Sequence, residues 1–141
     1  LWCDHSWLRA IRNLEGNARR RIVTSIRQRT MGAFTDNVQF THIAREWRCK
    51  WAEEDDKKTL AAAQTSLDAR LAQVKAVAGV KSVQRVVCGG CQDFKVIVCL
   101  DAEAFGAWEA AEFAPEKEFL ADIEAAGLKR VETQTYTLET L

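Results

Sequence analysis

At 141 residues with 48% hydrophobic content, the chain has the length for one domain with a proper core plus an arm, and nothing in it suggests a second domain. Its formal net charge is zero, and no apolar run approaches the roughly 20 residues needed to cross a bilayer, which excludes a transmembrane helix in this sequence. Five cysteines without a secretory apolar stretch at the start argue against a disulfide framework and for a reducing compartment.

The charge is unevenly spread. Residues 1–30 carry seven arginines against Asp4 and Glu15, a net +5, while the remainder carries thirteen basic and eighteen acidic residues, a net −5. The sequence therefore divides into a basic N-terminal arm, 1–30, and an acidic domain, 31–141. The arm's arginines, its Ser6, Thr24 and Ser25, and its apolar Trp7, Leu8 and Ile11 have the character of an organelle transit segment or of a docking arm. On the docking reading, Trp7, Arg19, Arg20 and Arg21 are the expected contacts with a larger assembly. The arginine triplet alone makes a poor case for nucleic acid, because the acidic domain repels phosphates.

In chain order, Val38–Trp51 reads as the first strand, with Ile43, Trp47, Cys49 and Trp51 on one face, Phe40, His42 and Ala44 on the other, and Arg45 and Glu46 interrupting both. Four carboxylates, Glu53 to Asp56, then lead into a helix, where they complement the positive end of its dipole rather than bind a metal. The spacing of Leu60, Ala63, Leu67, Leu71 and Val74 predicts that helix over Asp56–Ala78, ended by Gly79. Val80–Val87 and Phe94–Leu100 read as a hairpin turned at Gly89-Gly90, a dipeptide able to supply positive φ angles. Asp101 is a plausible N-cap, and Pro115 divides the long helical segment after it into helices over Glu103–Phe113 and Pro115–Ala126. A last strand spans Val131–Leu138.

The sequence Ala78-Gly79-Val80-Lys81-Ser82-Val83 returns as Ala126-Gly127-Leu128-Lys129-Arg130-Val131, forty-eight residues later. In both copies a glycine releases a helix into a strand. The resulting order, βαββαβ, gives a ferredoxin-like α+β fold: a four-stranded antiparallel sheet with two helices on one face. Phe94–Leu100 is apolar on both faces, so the sheet needs a second cover, which a partner protein or a second copy of the chain supplies.

With its HIAREWRCKW strand, GVKSV and FKVIV strands, AFGAW helix and VETQTY strand, the stretch from Val38 to Leu138 resembles the dimeric α+β-barrel superfamily. The resemblance is first to the stress-responsive A/B-barrel (Dabb) domains and second to the antibiotic-biosynthesis-monooxygenase-like domains. It implies a dimer whose sheets face each other, with small apolar or aromatic substrates held between sheet and helices. His42 matches a histidine common in the family, whereas Lys117 stands nearest to where many Dabb sequences carry a second-helix histidine, a departure that weighs against cyclase chemistry. His42, Trp47, Trp108 and Tyr136 are the candidate ligand-binding residues; no catalytic residue, metal or cofactor is assigned. The main reading is a non-catalytic Dabb-like accessory subunit of an organellar complex, in plastid or mitochondrion and photosynthetic by preference, with the cytoplasm as second choice. The alternative is a small-molecule-binding barrel enzyme of monooxygenase or cyclase type.

Cys88-Gly89-Gly90-Cys91 has no second ligand pair at zinc-like spacing and no helix N-terminus behind it. It is read first as structural thiols and second as a reversible disulfide, the two cysteines facing each other across the hairpin ladder at about 5.5 Å or less between Cα atoms.

Overall fold

The computed structural model describes residues 32–141. It opens on a small hairpin, β1 (Gly32–Thr35) and β2 (Val38–Phe40), turned at Asp36-Asn37. The single strand predicted from Val38 is thus two strands. Phe40 folds back on Gly32, and the chain bends at Thr41, whose N–H and hydroxyl both donate to Glu139 Oε2 at 2.6 and 2.8 Å. Alternation of apolar residues runs through the bend unchanged, which is why it is invisible in the pattern.

The main body comprises β3 (His42–Lys50), α1 (Glu54–Lys75), β4 (Val80–Val87), β5 (Asp93–Asp101), α2 (Ala102–Ala110), α3 (Glu116–Ala125) and β6 (Lys129–Leu138). The sheet order is β4-β5-β3-β6, and every pairing is antiparallel. This is the predicted βαββαβ arrangement with the second helical unit divided in two. Pro115 stands at the N-cap of α3 rather than inside its first turn.

The core lies between the sheet and the helices. Ile43 and Trp47 of β3 and Phe94, Val96, Val98 and Leu100 of β5 meet Ala63, Leu67 and Val74 of α1, Phe105 and Trp108 of α2, and Phe119 and Ile123 of α3. Burial of this set is the main force holding the layers together, at roughly 25 cal/mol for each Å² of apolar surface removed from water. An ion pair between Arg70 and Asp122 (2.7 Å) ties α1 to α3.

Both repeated glycines adopt left-handed backbone, φ 85° at Gly79 and 89° at Gly127, and each opens the way to an outer strand of the sheet. A methyl group at Gly79 would also collide with Ala104. Gly79→Ala is therefore expected to lower stability by about 2 kcal/mol. Gly90→Ala, where an added methyl meets nothing within 4 Å, should stay within about 0.5 kcal/mol in the same urea titration.

The hairpin turn differs from its prediction. Gly89 and Gly90 do not carry the positive φ; Gln92 does, at 56°. Cys88 N–H donates to the Asp93 carbonyl at 2.9 Å, so Cys88 pairs with Asp93, and Cys91 lies within the connection instead of across the ladder from Cys88.

Candidate functional site

Strand alternation sends Arg45 and Trp47 to the helix side of the sheet and His42, Ala44 and Glu46 to the other side. On the helix side, Arg45 forms a bidentate pair with Glu116, the first residue of α3: Nε to Oε2 and Nη2 to Oε1, both at 2.7 Å. Its remaining reach goes to Thr135 Oγ1 (from Nη1) and Thr133 Oγ1 (from Nη2), each at 2.9 Å, on the neighbouring strand β6. Trp47 Nε1 donates to Glu116 Oε2 at 2.7 Å. The pair is largely buried, with side-chain exposures of 15% for Arg45 and 12% for Glu116. A carboxylate at a helix start complements the dipole there, and the arginine fork satisfies it in plane.

Aromatic rings enclose this polar knot. Trp47 stacks obliquely on Phe119 (5.1 Å between centroids) and lies 6.4 Å from Trp108. Phe113, from the connection between α2 and α3, sits with its ring centre 4.2 Å from the Arg45 guanidinium carbon. It also meets Trp108 edge-on at 5.3 Å and Phe105 at 5.6 Å. Trp108 is itself fixed by donating Nε1 to the Ala114 carbonyl at 2.9 Å. A surface groove of about 320 Å³, bordered by Val77, Ala104, Ala107 and Ala114, runs up to Trp108. The arrangement is an aromatic box with a cation on one wall, and Phe113 fills it.

The four candidate residues read from the sequence do not converge. Trp47 and Trp108 belong to this box, whereas His42 and Tyr136 lie on the opposite face of the sheet. There, the His42 ring contacts Thr41 Oγ1 through Nδ1 (2.8 Å) and lies 3.6 Å from Asp101 through Nε2. Tyr136 donates its hydroxyl to Glu46 Oε2 at 3.0 Å. Glu46 is buried, with Lys95 and Arg48 at 3.7 and 3.9 Å from Oε1, an oxygen that accepts no hydrogen bond among the described residues. Sequence reasoning also missed Arg45, Phe113 and Glu116. The one available signal was a charged pair in the middle of an apolar strand, and its two members point to opposite faces with separate partners.

Burial, and then the Glu46 carboxylate it donates to, push the Tyr136 hydroxyl well above its ordinary value. The folded state therefore holds a proton that the unfolded chain releases near pH 10, and stability is full below that pH and falls above it. Cys49, pushed up to about 12 mainly by burial, adds a decline that begins near pH 9. Tyr136→Phe should make the alkaline slope above pH 10 shallower, leaving the Cys49 contribution, and should not change it below pH 9, in urea titrations from pH 8 to 11; an unchanged slope above pH 10 would contradict the assignment.

Among the described residues, no group of three or more His, Cys, Asp or Glu side chains is placed to hold a metal ion, and no helix is long and apolar enough to cross a membrane. Trp7, Arg19, Arg20 and Arg21, with the rest of the expected arm, lie outside the described residues.

No protein family profile and no curated protein matches the sequence. Solved structures do match. Rv0793 from Mycobacterium tuberculosis aligns over 72% of this chain and 98% of its own, with a TM-score of 0.55 and 13% identity. SnoaB from Streptomyces nogalater, a cofactor-independent oxygenase, aligns over 72% and 96%, with a TM-score of 0.52 and 13% identity. A candidate antibiotic biosynthesis monooxygenase from Caulobacter crescentus aligns over 72% and 92%, with a TM-score of 0.52 and 12% identity. At such identities the likeness is one of fold alone: this chain shares with these structures the predicted α+β arrangement of a four-stranded antiparallel sheet with helices on one face.

Proposed function

We propose that this chain is a small-molecule-binding α+β barrel that takes a flat, aromatic compound between its sheet and α2/α3, with its other sheet face packed on a second copy. The observation that carries the reading is Phe113: the site already holds an aromatic ring, 4.2 Å from the Arg45 guanidinium and between Trp108 and Phe105. A ligand ring bearing an acidic or phenolic oxygen would gain from the same cation and the same rings. The fold shared with a cofactor-independent oxygenase supports this reading over that of an accessory subunit. An organellar, photosynthetic or stress-response setting has no observation behind it. Glu116 is held by donors from both Arg45 and Trp47, an arrangement that favours holding a ligand over abstracting its proton.

The second copy is inferred from the sheet face away from the helices, where half-buried Ile97 lies beside the buried Glu46 and Cys99 and where the outer-strand residues Val86 and Leu138 are 40% and 38% exposed. The test is a titration of the purified chain with hydroxylated polycyclic aromatics, reading Trp47 and Trp108 fluorescence, with turnover under oxygen followed in parallel and native mass measured. Saturable quenching supports the binding site. Absence of quenching in both the native chain and a Phe113→Ala variant overturns it.

A further inference from the structure

The described cysteines fall into two chemical classes. Cys49 and Cys99 are buried, and burial raises both thiols. Cys88 and Cys91 stand at the tip of the β4–β5 hairpin, one half-buried and the other exposed. The Cys91 N–H donates to Cys88 Sγ at 3.2 Å, while the Cys91 thiol lies 3.3 Å from Asp93 Oδ2 and donates to it. Lys50 Nζ anchors the turn from β3, at 2.6 Å from both Asp93 Oδ1 and the Cys91 carbonyl. Methyl groups placed on Gly89 or Gly90 would meet nothing within 4 Å, so the outside of the turn is open to an approaching molecule.

We propose that Cys88 and Cys91 form a thiol–disulfide exchange site, with Cys88 attacking a small disulfide of the glutathione class and Cys91 resolving the mixed disulfide. The roles follow from the hydrogen bonds. Cys88 sulfur is the acceptor in the turn, so its thiolate is the one the backbone stabilises; its pKa is lowered, first by the Cys91 thiol and then by the backbone, whereas that of Cys91 is raised, first by the Cys88 thiol. In the first step the Cys88 thiolate, its proton lost to solvent, bonds to one sulfur of the small disulfide, whose S–S bond breaks to release a thiolate that takes up a proton. In the second, Cys91 loses its proton to solvent, and its thiolate attacks Cys88 Sγ, breaking the mixed disulfide and releasing the second small thiolate, which takes up a proton. The protein dithiol is oxidised by two electrons and the small disulfide is reduced to two thiols. A hairpin thus provides, through backbone N–H groups and a neighbouring thiol, the activation that a helix N-terminus supplies elsewhere.

The test treats the reduced full chain with oxidised glutathione, traps remaining thiols with iodoacetamide and maps them by peptide mass. The expected result is selective loss of alkylation at Cys88 and Cys91 through a bond between them, reversed by dithiothreitol, with Cys49 and Cys99 still thiols. Cys91→Ser should stop at a glutathione adduct on Cys88, and Cys88→Ser should lose the reaction. Circular dichroism confirms that each variant is folded, and Cys88→Ala replaces Cys88→Ser if it is not. Adduct formation on Cys91 in Cys88→Ser at the native rate, or both thiols surviving excess oxidised glutathione in the native chain, would overturn the proposal.

Discussion

Glu116→Ala is expected to lower unfolding free energy by about 3 to 5 kcal/mol, the usual result of removing one partner from a buried ion pair. The substitution leaves the Arg45 guanidinium with only the Thr133 and Thr135 hydroxyls and leaves the Trp47 N–H without its acceptor. It also frees the start of α3, which this carboxylate pins to β3 across more than seventy residues of sequence. Arg45→Met combined with Glu116→Leu should be far milder, because apolar replacement of a whole buried pair is often neutral. Urea denaturation of the two variants at pH 7, with unchanged m-values, measures the contrast. A loss below about 1 kcal/mol for Glu116→Ala would mean that water reaches the pair as freely as it reaches a surface bridge.

Phe113→Ala should move stability and binding in opposite directions. The ring is half-buried, so the loss should fall short of the about 3 to 5 kcal/mol for a full core phenylalanine, near 2 kcal/mol. On the proposed binding role, affinity for an aromatic ligand should rise on the order of tenfold or more, because a ligand ring must displace Phe113 from the box in the native chain and need not in the variant. Calorimetric titration alongside thermal unfolding reads both. Parallel losses of stability and binding would instead make Phe113 a wall of the site.

The fold was legible in the sequence wherever periodicity is local. The helix stripe from Leu60 to Val74, the two glycine stops and the hairpin strands all follow from neighbours within a few positions, and their ends shift by only a few residues. What stayed hidden depends on distant partners. Arg45 and Glu46 look alike in sequence, two charges inside a strand, yet one finds Glu116 and two threonines on the helix side and the other finds Tyr136 on the far side. The same blindness joined His42 and Tyr136 to Trp47 and Trp108, because residue type carries no information about which side of a sheet a strand presents until its register is fixed. Phe113 was treated as the end of a helix, when it is the ring that occupies the box.

The two glycine-released strands, β4 and β6, are the borders of the sheet. Each carries a lysine at or next to its start, Lys81 second in β4 and Lys129 first in β6, and each has a register break near its start, between Val80 and Ser82 on β4 and opposite Arg48–Lys50 on β6. Charges and bulges at a border discourage a foreign strand from adding to the ladder. The repeat therefore does more than build the fold twice: it guards both flanks against lateral growth. Strand addition along either rim, the route by which such sheets would run on into a filament, is thereby disfavoured.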